Sequence, residues 1–488
     1  MYVVVAKSRP LVCEHVPRPV GAGARGIAQE RKRLTVLDDN RKILLLGSGF
    51  VAAPFVEYVL RRPENKLTVA SRTLANAQAL AAKYPNNTTA VAVDITDDKA
   101  IEDLVAQHDI AISLIPYIYH AKVIAAAVKH KKNVVTTSYV SPAMMEYDQA
   151  AKDAGITVMN EIGLDPGIDH LYAVKTIDEV HKEGGKLKEF ISFCGGLPAP
   201  ENSDNPFGYK FSWSARGVLL ALKNTAKYLE KGKVVEVSGP ELMDSVRVLN
   251  TGYPGYSFVG YGNRDSTPYD KRYNIPDAET IIRGSIRYDG FPQFAKALVS
   301  LGFLSEEPVA HLAADAGDIT WSQVIAQVVG INSTAEDALK AAIIEKAGIA
   351  DSPRLAQILD GMRWLGFFSD VKAHRRGNLL DTFCATLEEK MQYEEGERDM
   401  CFLQHRFEIE LKDGSHQTRT STMIEYGTPG GFSAMAKTVG VPCGIATQLI
   451  LDGKLNQKGV LAPMTPEINN PIMELLEKEN IGVVEKIL

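Results

Sequence analysis

Cysteine is scarce: Cys13, Cys194, Cys384, Cys401 and Cys443 are odd in number, widely spaced and free of any CxxC pair. That pattern argues against a disulfide framework or a zinc site and favours a reducing compartment. Long apolar runs are missing too, with nothing approaching the roughly 18 consecutive residues a bilayer span requires. No excess of positive charge exists, since 54 Lys+Arg stand against 60 Asp+Glu for a formal net charge of -6. No global field therefore points to nucleic acid or an anionic membrane. HExxH, Walker-loop, nucleophile-elbow and metal-ligand spacings do not occur, so no metal is expected. Gly 39 and Pro 24 are ordinary usage, which excludes a collagen-like or long disordered architecture.

What remains is the balance of a globular chain, 45% apolar and 23% charged. At roughly 150 residues per domain the length implies about three domains with a cleft between them. Residues 1–33 stand apart, carrying Lys7, Arg9, Arg18, Arg25, Arg31, Lys32 and Arg33 against only Glu14 and Glu30. The short apolar stretch after Met1 argues against a secretory signal. An Arg-rich organelle leader and a basic tail without fixed structure both fit, and the tail is the preferred reading. Residues 1–40 are set aside as an N-terminal extension, and a cytoplasmic location is expected.

From Lys42 the pattern becomes regular. An apolar run over 42–46 ends in Gly47-Ser48-Gly49-Phe50-Val51-Ala52 and passes into a helical pattern with Phe55, Val56, Val59 and Leu60 on one face. A strand, a GxGxxA turn and a helix form the context a dinucleotide fingerprint requires. Gly47 makes the turn, Gly49 lets the backbone approach a pyrophosphate, and the helix N-terminus with Phe50 and Val51 faces the anion. Strands are predicted at 66–70, 90–93, 109–114, 133–137 and 156–160, with helices at 74–84, 99–108, 120–131 and 143–154 between them. This alternation describes an α/β fold with a doubly wound parallel sheet.

The corner after the second strand decides the cofactor. It reads Ser71-Arg72-Thr73, with no acid to accept a ribose 2′-hydroxyl and an Arg fork suited to a 2′-phosphate, so NADP is expected over NAD. Asp94 and Ile95 are candidates to bracket the adenine, and Ile115 to wall the nicotinamide ribose. Thr136, Thr137, Ser138 and Tyr139 end the fifth strand at the ligand edge of the sheet.

The strings GSGFVAAP, VASRT, SLIPY, VVTTSYVSPAMM, NEIGLDPGIDH, CGGLPAPE, FSWSARGVLLAL, NRDSTPY, DTFCATLEEKM and KGVLAPM resemble the NADP-dependent, L-glutamate-forming saccharopine dehydrogenases, most closely the monofunctional fungal enzymes. The resemblance runs from about Lys42 to the C-terminus. It implies a variant Rossmann domain over 41–165 and 433–488, a mixed-sheet α/β domain for substrate and dimerisation over 166–295 and 391–432, and an all-helical domain over 296–390. It implies a homodimer. It also implies the reaction: glutamate and 2-aminoadipate 6-semialdehyde condense to an imine that NADPH reduces to saccharopine, on the way to lysine. Leu164, Asp165, Pro166 and Ser214 join the cofactor-binding set by the same route, and Ser138, Tyr139, Asp165, Arg264, Ser285, Ile286 and Arg287 the substrate-binding set.

Saccharopine carries three carboxylates and two amines, so its site should hold several cations and at least one anion. Arg264 and Arg287 are the expected carboxylate forks. Asp165, ahead of Pro166-Gly167 and a helix, reads as an N-cap whose negative charge is stabilised by the helix dipole, and it is expected to hold a substrate ammonium. Tyr139, Asp165 and Cys194 are the candidate catalytic residues, with mild effects expected for Tyr139 and Cys194 because the amine substrates can move protons themselves. His120, His170 and His181 read as structural histidines without an acid at motif spacing. The rival readings are another secondary-amine oxidoreductase of the same type, such as a carboxynorspermidine enzyme, and a non-catalytic NADP-binding scaffold.

Overall fold

A computed structural model describes residues 40–488; the expectations placed on residues 1–39 lie outside the described residues. The parallel sheet runs, from one edge to the other, Gly459–Leu461, Thr157–Met159, Asn133–Thr136, Ile110–Ser113, Arg41–Leu46, Asn65–Ser71 and Thr88–Ala92. Every pairing is parallel. Its central strands are continuous apolar runs because helices cover both faces, leaving Ile43, Leu44, Leu45 and Ile112 with no exposed surface. Strand order reverses between Arg41–Leu46 and Ile110–Ser113, and a doubly wound sheet opens its ligand crevice at the C-terminal ends of such a pair.

The chain differs from the expected pattern in two places within this region. The single helix expected at 143–154 is two, Pro142–Met145 and Asp148–Ala154, with Ser141 capping the first by accepting from the Met144 N–H. Gly459–Leu461, only three residues long, brings the C-terminal part of the chain back to the sheet as its seventh strand. Just before it, helix Ala434–Leu451 packs on helix Ala52–Val59, where Gly440 comes so near that an added Cβ would stand 2.6 Å from the Val51 carbonyl oxygen. This helix is long and apolar enough to cross a membrane by length and composition, but 78% of it is buried within the protein, as befits a core helix.

A second, mixed sheet runs Arg247–Val248, Phe258–Gly262, Thr280–Tyr288, Lys186–Pro198, Asp399–Glu410, His416–Tyr426 and Val484–Ile487, with Ala226–Glu230 and Lys233–Val237 attached beside it. Thr280–Tyr288 and Lys186–Pro198 are parallel, setting Ser285 beside Cys194 and Arg283 beside Ser192. Its last strand, Val484–Ile487, pairs with His416–Tyr426, so the C-terminus finishes in the mixed sheet rather than beside the parallel one.

Side chains alternate across each strand. Phe193, Ile282, Ile286 and Phe402 enter a core shared with helices Phe291–Leu301, Trp321–Val329, Glu336–Ala347, Leu355–Leu365 and Leu379–Lys390. Cys194, Cys401 and Leu403 point the other way, into a core shared with the parallel sheet. The mixed sheet is thus a middle layer, and the strand face carrying Cys194 and Ser285 meets the crevice of the parallel sheet. Asp399 ties the layers together by accepting from the Ala434 N–H at 2.5 Å and the Met435 N–H at 2.9 Å, at the start of the long helix.

Candidate active site

The cofactor corner is built from short-range constraints. Gly47 has φ +112°, and a Cβ there would stand 2.5 Å from the Leu114 carbonyl oxygen, so only glycine makes this turn. Gly49 faces open space, with nothing within 4 Å of where a Cβ would be, which leaves room for a phosphate at the N-terminus of Ala52–Val59. Ser71 ends the second strand, and Arg72 and Thr73 follow it, both exposed. Thr73 is the N-cap residue of Leu74–Ala81 but makes no side-chain cap bond, so its hydroxyl is not spent on the helix. Asp94 accepts from the N–H and hydroxyl of Thr96, bonds that hold its carboxyl below the usual range, and the nearby Arg72 charge adds to this. Ile95 and Ile115 pack on the outer core of the sheet. The open glycine, the exposed Arg fork and the lack of an acid at 71–73 fit NADP(H).

Between the two sheets lies a cleft of about 430 Å³ lined by Gly49, Phe50, Val51, Thr137, Tyr139, Leu164, Asp165, Cys194, Arg264, Ser285 and Arg287. Residues from the nucleotide loop and from the mixed sheet thus face one space. It adjoins a cationic recess of about 420 Å³ lined by Tyr139, Arg264, Arg272 and Arg283. The Arg264 guanidinium is exposed and lies 4.7 Å over the Tyr139 ring. Arg287 is buried against the rings of Tyr209 and Phe291; it gives one hydrogen bond to the Ile286 carbonyl at 2.7 Å and leaves Nε without a partner. Neither arginine meets a carboxylate among the described residues, which is what a site for an anionic substrate needs.

Behind the cleft is a buried polar network. Tyr139 donates to Asp165 Oδ1 at 2.5 Å, and Arg283 Nη2 donates to the same oxygen at 2.7 Å. Arg283 also pairs with the fully buried Asp169 and bonds Tyr269. Burial pushes the Asp169 carboxyl up while the His170 ring and Arg283 pull it back. Further in, His170 Nε2 lies 2.8 Å from Glu161 Oε2 and its Nδ1 meets the Tyr273 hydroxyl at 2.6 Å. Burial alone would raise Glu161, but His170 and Arg272 outweigh it and hold the carboxyl down to about 2. Burial pushes the Tyr139 phenol and the Cys194 thiol well up, Arg283 only partly opposing it. Both are neutral near pH 7 and neither is poised as a general base.

Two family models match this chain: the saccharopine dehydrogenase NADP binding domain over residues 43–159 and the saccharopine dehydrogenase C-terminal domain over residues 163–481. The chain belongs to the saccharopine dehydrogenase family. Among its relatives are the saccharopine dehydrogenases [NADP(+), L-glutamate-forming] of Pyricularia oryzae, 57% identical over 92% of this chain and 99% of that one, and of Saccharomyces cerevisiae, 54% identical over 91% and 99%. The mitochondrial alpha-aminoadipic semialdehyde synthase of Bos taurus is 39% identical over 93% of this chain and 48% of its own length. The solved structure of apo histidine-tagged saccharopine dehydrogenase (L-Glu forming) from Saccharomyces cerevisiae superposes with a TM-score of 0.84 at 54% identity, covering 92% of this chain and all of that one.

The saccharopine dehydrogenase fold brings Tyr139, Asp165, Cys194, Arg264, Ser285 and Arg287 to one cleft with the Gly47–Val51 loop at its mouth. Two expectations are corrected. Asp165 is not a helix N-cap: the Gly167 N–H bonds Asp169, the Ile168 N–H bonds the Gly163 carbonyl, and helix Ile168–Lys182 starts two residues later than expected, freeing Asp165 to turn toward Tyr139 and Arg283. Ile286 points into the opposite core with no exposed surface, because alternation along Thr280–Tyr288 sends Ser285 and Arg287 to the cleft and Ile286 away from it. Ser138 bonds His120 Nε2 at 2.8 Å, and His120 in turn meets Ser113, so this hydroxyl serves a buried histidine that burial lowers to about 4. Ser214 caps helix Ala215–Ala221 and opens onto a neighbouring cavity shared with Phe50. Pro166 is buried.

The residues that sequence reading missed are Arg283, Asp169 and Glu161, the last of them the acid partner of His170. One signal was available for Arg283: Arg283, Ser285 and Arg287 recur at the two-residue period of a strand face.

Proposed function

We propose that this chain catalyses the NADPH-dependent condensation of L-glutamate with L-2-aminoadipate 6-semialdehyde to saccharopine, reversibly, in lysine biosynthesis. The carrying observation is the cleft itself: two arginines without carboxylate partners, Arg264 and Arg287, and one carboxylate, Asp165, face the nucleotide loop across a shared space. A tricarboxylate diamine is complementary to that charge pattern.

In this reading the glutamate nitrogen lone pair attacks the aldehyde carbon, water leaves, and the resulting imine carbon is reduced. Bound NADPH supplies the hydride for that last step. Arg264 and Arg287 hold substrate carboxylates, Ser285 adds a hydroxyl donor, and Asp165 presents its Oδ2, which has no hydrogen-bond partner among the described residues, to the substrate nitrogen. Tyr139 and Cys194 act as uncharged walls of the site. The Gly47–Val51 loop, Arg72 and Thr73 hold NADP(H), while Thr137, Leu164 and the Asp165 backbone line the nicotinamide end. A carboxynorspermidine-type substrate would leave at least one of the arginines without a carboxylate. The same reading includes a homodimer and a cytoplasmic location, tested by analytical ultracentrifugation and by imaging of the tagged full-length chain. It divides the chain into cofactor, mixed-sheet and helical domains near residues 165, 295, 390 and 433.

The decisive assay is saccharopine-dependent reduction of NADP at alkaline pH, followed at the absorbance of the reduced cofactor, with NAD and carboxynorspermidine as controls. Rapid reduction of NADP with saccharopine alone supports the reading, and none with saccharopine ends it.

A further inference from the structure

Resting on the reading of the cleft as a saccharopine site, we propose that Arg283 is a positioning residue that locks one oxygen of Asp165 and the Tyr139 hydroxyl, so that the other Asp165 oxygen is aimed at the substrate nitrogen. Arg283 stands on the face of strand Thr280–Tyr288 that also carries Ser285 and Arg287, but its guanidinium is buried and turned to the rear of the site. Its Nη2 donates to Asp165 Oδ1 at 2.7 Å and lies 3.2 Å from the Tyr139 hydroxyl, which itself donates to that same oxygen. Oδ1 is thereby saturated, and Oδ2 is the oxygen left for a ligand.

The clamp on Arg283 is itself fixed from behind. Asp169, with no exposed surface, pairs with the guanidinium and accepts from the Gly167 N–H at 2.6 Å, while Tyr269 takes Nη1. The Arg283 backbone N–H donates to the Ser266 hydroxyl at 3.0 Å. Tyr269 is in turn covered by Arg272, whose guanidinium carbon lies 4.9 Å over its ring and whose Nη2 bonds Glu161 at 2.7 Å. One cation therefore lies between two carboxylates. Because the buried Asp169 cannot be left uncompensated, Arg283 is committed to it, and the Asp165 side of the cluster retains negative charge for an amine. Arg283 also flanks the Tyr139 ring, 5.6 Å from its centroid, with Arg264 4.7 Å from it, so the surface on which Arg264 rests depends on the same clamp.

The test compares Arg283→Met, Arg283→Lys and the charge-balanced double variant Arg283→Met/Asp169→Asn with the wild type. Wild-type reduction of NADP by saccharopine is checked first, so that failure of the reaction assignment is separated from failure of this proposal. The proposal expects the double variant to bind NADPH within about twofold of wild type and to raise the saccharopine KM by about 10- to 100-fold, the range for losing one charged hydrogen bond, with a smaller fall in kcat. Arg283→Lys, which keeps the charge but loses the fork, should recover part of that KM. Wild-type saccharopine KM in the double variant overturns the proposal. So does an equal loss of NADPH and saccharopine affinity, or loss of NADPH binding in all three variants, because either outcome assigns Arg283 to the fold alone.

Discussion

The guanidinium carbon of Arg264 lies 4.7 Å over the ring of Tyr139. A charge stacked on an aromatic face is held in place without being neutralised, so its donors stay available for a carboxylate. Arg264→Met should raise the KM for saccharopine and for glutamate by about 10- to 100-fold, as expected for one charge-assisted contact. The NADPH dissociation constant and the denaturation midpoint should barely move, because Arg264 is exposed and its charge rests on the Tyr139 ring with no carboxylate beside it among the described residues. Steady-state kinetics with an NADPH fluorescence titration check this; equal losses for amino acid and cofactor would show that the residue supports the fold.

Arg72 makes the corresponding claim for the cofactor. It is exposed at the end of strand Asn65–Ser71, next to hydroxyls that cap no helix. Arg72→Ala should weaken NADPH roughly 10- to 150-fold and leave NADH nearly unchanged, because the lost contact is to the 2′-phosphate that only NADPH carries. Fluorescence titration with both cofactors measures the ratio, and an unchanged NADPH dissociation constant would sink the assignment.

Asp165→Asn keeps the size of the side chain and an oxygen for the Tyr139 hydroxyl, but loses the charge that faces the amine. The expected result is a saccharopine KM raised by about 10- to 100-fold with kcat lowered less than tenfold. A thousandfold fall in kcat at unchanged KM would instead make Asp165 the proton-transfer group.

The parts of this molecule legible in the sequence were those dictated locally. The parallel strands are buried on both faces and so are written as apolar runs, and the Gly47 and Gly49 turn is demanded by backbone geometry alone. Arg264 and Arg287 could be named because they lie in distinctive strings. The rear of the site was not legible, since Arg283 meets Asp165 across 118 positions, Asp169 across 114 and Tyr139 across 144, and no local pattern encodes such meetings. His170 read as a structural histidine for the same reason: Glu161 is nine residues earlier, off any helical spacing, and reaches the ring only because the Gly163–Gly167 turn folds the chain back. The cap expected at Asp165 failed because Gly167 and Asp169 together start the helix instead. Ile286 shares a string with Ser285 and Arg287, but a strand presents only alternate residues to one face, so its side chain lies in the opposite core.

Gly47→Ala tests the locally dictated part. The φ of +112° is strained for any side chain, at about 1–3 kcal/mol, and the new Cβ would stand 2.5 Å from the Leu114 carbonyl oxygen. The loop must shift, so both the denaturation midpoint and NADPH affinity should fall, while the KM for saccharopine at saturating NADPH changes little. A variant with wild-type stability would show that the turn can relax at no cost.

Glu161 carries the pH dependence of the buried network. Its carboxyl is lowered to about 2 in the folded chain, burial being outweighed by His170 and Arg272, whereas an unfolded glutamate titrates near 4.5. A depressed folded value means that the unfolded chain takes up the proton first as pH falls, so the stabilisation is complete above about pH 4.5 and is lost progressively toward pH 2. Glu161→Gln, which resembles the protonated acid, should therefore be less stable than wild type at pH 7, with the gap unchanged down to about pH 5 and closing between pH 4.5 and 3. Urea denaturation of both proteins across that range measures the gap. A difference that stays constant from pH 7 to pH 3 would mean that Glu161 contributes through packing and not through its charge.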